Sequence, residues 1–215
     1  MRNHVKMALI AVLVTAVSSG CSSNGDSKER GVGAEKVCNN FAHESSTAAA
    51  LSRIAGTDRF VEIGSKPKET LALLRSANGK IDGVEELQGS PLCSLKTTNK
   101  QDVLTIFFRE AKTVITASPE GENIFTFYRT GAAALASDRI ASIYFYCRMP
   151  GHREKTIING TLERENKINL SDKELTDKQM IVINAAARQV AGELRCEKPD
   201  LVAGAPEVVS GSAKR

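Results

Sequence analysis

Val103-Leu104-Thr105-Ile106-Phe107-Phe108 is apolar at positions of both parities. An extended chain alternates its side chains between two faces, so such a run suits a central strand covered on both sides. Further strands are expected around it. Residues 92–96 precede it across the polar turn Thr98-Asn99-Lys100-Gln101-Asp102, and the run itself extends to residue 111. Residues 113–117 and 124–129 flank a turn at Pro119-Glu120-Gly121-Glu122-Asn123. Residues 140–148 turn at Pro150-Gly151, and 156–162 return beside them. The connection 130–138, Thr130-Gly131-Ala132-Ala133-Ala134-Leu135-Ala136-Ser137-Asp138, is long for a hairpin and rich in small residues. It reads as a short helix, with a binding loop as the alternative.

Helical spacing lies on either side of this strand-rich centre. Ser46 or Thr47 is placed to cap a helix with Ala50, Leu51 and Ile54 on one stripe and Gly56 at its end. After a short strand at 59–63, Ser65 and Pro67 open a second helix through Leu71 and Leu74. Residues 80–91 read as loop. Leu175-Thr176-Asp177-Lys178-Gln179-Met180 fits a capping box, Thr176 with Gln179, and a hydrophobic staple, Leu175 with Met180. Ile183, Ala187, Val190, Ala191 and Leu194 then recur at helical period, with Asn184, Arg188 and Glu193 on the expected wet side. Strands between terminal helices describe an α+β fold: a mainly antiparallel sheet with packed N- and C-terminal helices. One domain over residues 38–198 is long enough for a substantial core.

The first 21 residues carry an address. Arg2 and Lys6 precede an apolar run at residues 7–17, followed by Ser18-Ser19-Gly20-Cys21. At about 1.5 Å per residue the run covers about half of a ~30 Å hydrocarbon core, the length of a signal-peptide h-region and too short to span. Small residues and Gly before Cys21 resemble the lipobox of bacterial lipoproteins, although Ser18 stands where that family usually carries an aliphatic residue. The resemblance implies diacylglycerol on the Cys21 sulfur, cleavage after residue 20 and, with the overall layout, a small secreted lipoprotein of actinomycete type. Ordinary secretion, with cleavage after Ala16-Val17-Ser18, is the alternative. Residues 21–37 then form a lipidated cysteine and flexible tether, since 22–36 are almost without apolar side chains. Residues 199–215, rich in small residues and Pro, read as a disordered C-terminal tail.

The cysteines agree with export. Of Cys21, Cys38, Cys93, Cys147 and Cys196, alkylation of the first leaves an even four. Four cysteines allow three pairings. Cys38–Cys93 with Cys147–Cys196 is the expected one, each tying a helix end to a strand in its own half, and the nested Cys38–Cys196 with Cys93–Cys147 remains open. Zinc is disfavoured by spacings of tens of residues without a C-x₂₋₄-C knuckle.

Removing Arg2 and Lys6 from 29 cations leaves 27 against 25 anions, too mild an excess to suggest a nucleic-acid partner. No catalytic constellation emerges. His43-Glu44 lacks the second histidine of H-E-x-x-H, because residue 47 is Thr. His152 reads as a solvated turn residue, and neither Ser65 nor Ser90 sits in G-x-S-x-G. The carboxylate pairs Glu85-Glu86 and Asp172/Glu174 do not face each other on a helix. Phe125, Phe127, Tyr128, Tyr144, Phe145 and Tyr146 gather most of the aromatic supply, as core or as a ligand groove. No cofactor and no metal is expected.

The resulting expectation is a lipid-anchored module on the extracytoplasmic face of the cell membrane. It meets the membrane through the lipid on Cys21 and binds an envelope protein or small ligand without catalysis. An envelope enzyme using dispersed carboxylates, and an accessory subunit of a transporter or signalling complex, are the alternatives.

Overall fold

The computed structural model describes residues 31–77, 90–115 and 124–209. Nine strands form one antiparallel sheet: β1 (Val32–Gly33), β2 (Arg59–Glu62), β3 (Pro91–Thr97), β4 (Asp102–Ala111), β5 (Thr126–Arg129), β6 (Ala133–Ala136), β7 (Ile140–Cys147), β8 (Thr156–Arg164) and β9 (Glu207–Val208). Their order is β1-β2-β3-β4-β8-β7-β6-β5-β9. The first four strands run outward to centre. The chain then leaves β4, crosses to the far side, and meanders back through β5, β6 and β7 so that β8 closes on β4. The expected α+β architecture is therefore the observed one, with helices α2 (Pro67–Ser76) and α3 (Asp172–Glu193) packed on the sheet and α1 (Ser45–Ala55) packed on α3.

The strand that is apolar on both faces lies at the centre. In the β4–β8 pair Ile106 faces Leu162 and Phe108 faces Gly160. A Cβ at Gly160 would stand 2.5 Å from the Phe108 ring, so glycine here makes room for a buried aromatic crossing the neighbouring strand. Ile106, Leu162, Ile143 and Phe145 are fully buried. α3 lies across β6, β7 and β8 while α2 covers β3 and β4, and α1 packs against α3. Met180 and Ile183 of α3 are wholly buried, each contributing about 1.5–3 kcal/mol by removal from water.

Residues 130–138 are not a short helix. The chain bends and then enters β6, paired to β5 on one side and β7 on the other. Alanine favours helix in isolation, but Ala134 and Ala136 are buried beneath α3, where small side chains let the helix approach the sheet, and two ladders of hydrogen bonds outweigh the propensity. Of residues 113–117, only 113–115 lie among the described residues, and they form no strand.

The long helix begins a turn earlier than Thr176. Ser171 is its N-cap, its Oγ accepting from the Glu174 amide at 3.3 Å, so Ser171 with Glu174 has the spacing of a capping box. Thr176 and Gln179 are instead 2% and 0% exposed. Gln179 Nε2 donates to the carbonyls of Ser137 and Asp138 at 3.0 and 3.3 Å. Asn184 also leaves the wet side assigned to it and is 1% exposed. Smaller corrections concern the other caps. Glu44 precedes α1 and Thr47 is buried inside it. Lys66 precedes α2, while Ser65 Oγ accepts from the Ser94 amide at 2.9 Å. The end of α1 is met from far along the chain: Asn166 Nδ2 donates to the Ile54 and Ala55 carbonyls, both at 3.1 Å, satisfying acceptors that a helix leaves open.

Both flanking segments are more ordered than expected. Residues 31–37 are not tether: Val32 and Gly33 pair with Phe60 and Arg59, and Ala34 and Val37 are buried. Residues 199–209 are not disordered tail. Glu207 and Val208 extend the sheet beside β5, and Asn184 Nδ2 donates to the carbonyls of Val202 and Gly204 at 2.9 and 3.2 Å. Short segments rich in small residues offset their ordering entropy here by borrowing a sheet edge and a buried amide. Residues 1–30, 78–89 and 210–215, with the signal region, Cys21, Glu85 and Glu86, lie outside the described residues, as do residues 116–123 with the turn at Pro119.

Both expected disulfides are present. Cys38 and Cys93 have Cα atoms 5.5 Å apart, and Cys147 and Cys196 have theirs 4.7 Å apart. Cys38, Asn39 and Asn40 form one left-handed turn with φ of 46°, 62° and 60°. Asparagine tolerates that conformation better than most residues. The Cys38 amide donates to Glu62 Oε1 at 2.7 Å, and the Asn39 carbonyl accepts from Gln189 Nε2 at 2.7 Å.

Tyr128 gives a pH test of the α3–sheet contact. Its ring is 4% exposed and its hydroxyl donates to Asp177 Oδ1 at 2.8 Å. Burial raises the phenol above its ordinary range; a Thr176 hydrogen bond partly opposes this and the Asp177 carboxylate adds to it. A group holding its proton more tightly when folded contributes stability that is intact below its unfolded pKa, about 10, and is lost as pH climbs beyond that. Urea unfolding between about pH 8.5 and 11 should show a steeper loss for the native chain than for Tyr128→Phe. Equal slopes would place the alkaline sensitivity elsewhere. Some slope should survive in the variant, because burial raises Tyr144 as well.

Candidate functional site

The C-terminal end of α3 borders a cleft of about 700 Å³ lined by Arg75, His152, Arg188, Glu193, Arg195 and their neighbours. Three elements build it. Arg75 comes from the last turn of α2, and its Nη2 donates to the Glu193 carbonyl at 3.2 Å. Met149, Pro150 and His152 come from the turn between β7 and β8. Arg188, Gln189, Gly192 and Glu193 come from α3, with Leu194 and Arg195 just past it. A smaller opening of about 290 Å³ shares Arg188, Gly192 and Arg195 and is lined also by Cys196 and Leu201.

The helix ends here in a Schellman motif. The Cys196 amide bonds to the Ala191 carbonyl at 2.9 Å, and the Arg195 amide to the Gly192 carbonyl at 3.0 Å. The residue between these closures must be left-handed, and glycine is its usual occupant. Here it is Arg195, at φ 55°, which costs about 1–2 kcal/mol relative to ordinary backbone. The next residue is tied to β7 through Cys147–Cys196, so the disulfide holds Arg195 in place. Arg188 Nη1 meets Glu44 Oε1 at 3.0 Å, with both side chains about one-third exposed.

Arginines near a helix C-terminus also answer the helix dipole, typically worth 0.3–1 kcal/mol. That accounts for a cation near the last turn. It accounts equally for Arg75 in the last turn of α2, but not for an arginine in a conformation that glycine adopts without cost. Glu193 is the carboxylate among the cleft's lining residues. Two converging carboxyls, as an acid–base mechanism needs, are therefore not found in this cleft.

The other residues singled out in the sequence are dispersed. His43 is exposed, Nδ1 lying 3.1 Å from the Asn40 carbonyl. His152 is half-buried in the cleft wall, where solvation in an open turn was expected. Glu174 pairs with Arg53 at 2.8 Å on the surface. Among the described residues no group of three or more His, Cys, Asp or Glu side chains is placed to hold a metal, and no helix is long and apolar enough to cross a membrane.

The aromatic groups split across the sheet. Tyr128 and Phe145 point into the core, Tyr144 is 5% exposed, and Tyr146 stands 43% exposed with Lys155 Nζ 5.9 Å from its ring centroid. They do not form one groove. Sequence reasoning placed Arg188 on the wet side of α3 but missed the cleft, and helical spacing could not have found it, because Arg195 lies beyond the helix in a left-handed turn.

Fold and cleft together define a disulfide-stapled α+β domain with a cation-lined depression at one end of its longest helix. No family model, curated protein or solved structure matches the chain.

Proposed function

We propose that this chain is a lipid-anchored, extracytoplasmic binding module that holds a small ligand or envelope partner without catalysing a reaction on it. The observation carrying this reading is the cysteine pattern. Four cysteines close two disulfides within the folded domain, and the fifth, Cys21, stands at the lipobox-like step. Closed disulfides suit an oxidising compartment, and a lone thiol among them is a liability that acylation removes. Two acyl chains hold a protein at a bilayer far more firmly than one, at ~0.8 kcal/mol per buried CH₂. Tethered in this way, the domain acts by what it holds, and the cleft beside α3 is its ligand seat.

Cys21→Ser should move the protein from the membrane fraction to the soluble fraction, and intact mass of the native protein should show the lipid with no free thiol. Retention of the variant on membranes would refute anchoring at this residue.

A further inference from the structure

We propose that the cleft at the C-terminal end of α3 binds an oxyanion, a carboxylate or phosphate group on a small molecule, clamped by Arg75, Arg188 and Arg195. This deepens the binding-module reading but does not depend on the anchor. Three arginines, one from each of two helices and one just past the second, line one depression of about 700 Å³. Guanidinium presents five N–H donors in a planar fork that matches carboxylate and phosphate oxygens. Arg188 engages Glu44 through Nη1, and Arg75 engages the Glu193 carbonyl through Nη2, and among the described residues their other donors meet no further partner. Arg195 makes no side-chain bond to any described residue, and neither does the His152 ring across the cleft.

Charge points the same way. With Arg188 balanced by Glu44, Arg75 and Arg195 outweigh Glu193, so the seat is net cationic and suits an anion. Arg195 is also held in position: its backbone is left-handed, as are those of Lys198 and Asp200 beyond it, and the neighbouring Cys196 is tied to β7 by the disulfide.

The test uses the full chain, native and Cys21→Ser, titrated calorimetrically at fixed low salt with sodium pyrophosphate and sodium citrate, and with phosphatidylglycerol vesicles. Saturable binding is expected, and it should weaken tenfold or more in Arg195→Gly and in Arg75→Gln. Arg129→Gln, on β5 and largely exposed, should leave it unchanged. Arg195→Gly should also melt at a higher temperature than the parent, because glycine relieves the left-handed backbone. Loss of binding with gain of stability separates ligand contact from a folding defect.

Preference for pyrophosphate or citrate assigns the group as phosphate or carboxylate. Arg195-dependent binding seen only with vesicles places the oxyanion on a lipid headgroup. No saturable binding to any probe would overturn the proposal. So would equal weakening by Arg129→Gln, or a lower melting temperature for Arg195→Gly. Anion binding that fails while Cys21→Ser still leaves the membrane would remove the oxyanion seat and keep the anchor.

Discussion

Replacing Cys147 and Cys196 together by alanine should lower the unfolding free energy by about 4 kcal/mol, and replacing Cys38 and Cys93 should cost nearly the same. The pairs span 49 and 55 residues. Loop-closure entropy depends only logarithmically on that span, so both come out near 4 kcal/mol. Single domains hold together by roughly 5–15 kcal/mol in total, and either loss is a large part of it. Urea unfolding at matched protein concentration measures both. A loss below about 1 kcal/mol for either pair would mean that the unfolded chain is already constrained there.

The two variants should differ in where the native state loosens. Without Cys147–Cys196, the residue after Arg195 is no longer tied to β7, so amide exchange should quicken at Arg195, Cys196 and Glu197, whose amides close on Gly192, Ala191 and Arg148. Without Cys38–Cys93, the left-handed turn at Cys38–Asn40 loses its covalent hold. Exchange should quicken there instead, at the Asn40 and His43 amides.

Asn184→Leu should cost about 3 kcal/mol and release the C-terminal segment from the domain. The Asn184 side chain is buried in α3, with Oδ1 accepting from Thr130 Oγ1 at 2.8 Å and Nδ2 donating to the carbonyls of Val202 and Gly204. Thr130 Oγ1 in turn accepts from the Val202 amide at 3.1 Å. Leucine preserves the bulk but removes three hydrogen bonds worth about 1 kcal/mol each, and any group left buried without a partner adds to the loss. Limited proteolysis should then cut within residues 199–209, where the native chain resists. Unchanged resistance would mean that the pairing of β9 with β5 holds the segment without help.

Asn184→Asp separates the two roles of the amide. It keeps an acceptor for Thr130 but turns an anion toward two carbonyl oxygens. Burial raises the pKa of such a carboxyl, so the variant should be weakest at neutral pH and recover as pH falls toward and below about 4.

Much of the architecture is legible along the chain because its signals are local. Apolar residues at both parities mark β4 as central, the 3.6 period marks α3, and glycine after Ala55 marks the end of α1. The cysteine pairing is only favoured by the sequence, and the structure selects it over the nested alternative. Polar residues at helical core positions were misread. Asn184 looks like the wet side of an amphipathic helix and Gln179 like a capping-box partner, yet each is buried against backbone carbonyls, and those lie 18 to 42 residues away. Their burial is acceptable only because those partners exist, and no local pattern announces them.

The same distinction separates fold from site. Side-chain alternation, helical period and turn chemistry act between near neighbours, and they sufficed for an antiparallel sheet with packed helices. The crossover that sets β8 beside β4, the strand made from an alanine-rich segment, and the docking of residues 31–37 and 199–209 are decided by contacts between distant segments. So is the cleft. Arg75, His152, Arg188 and Arg195 come from separate parts of the chain, and only the packing of α2 and the β7–β8 turn against the end of α3 brings their charges to one place.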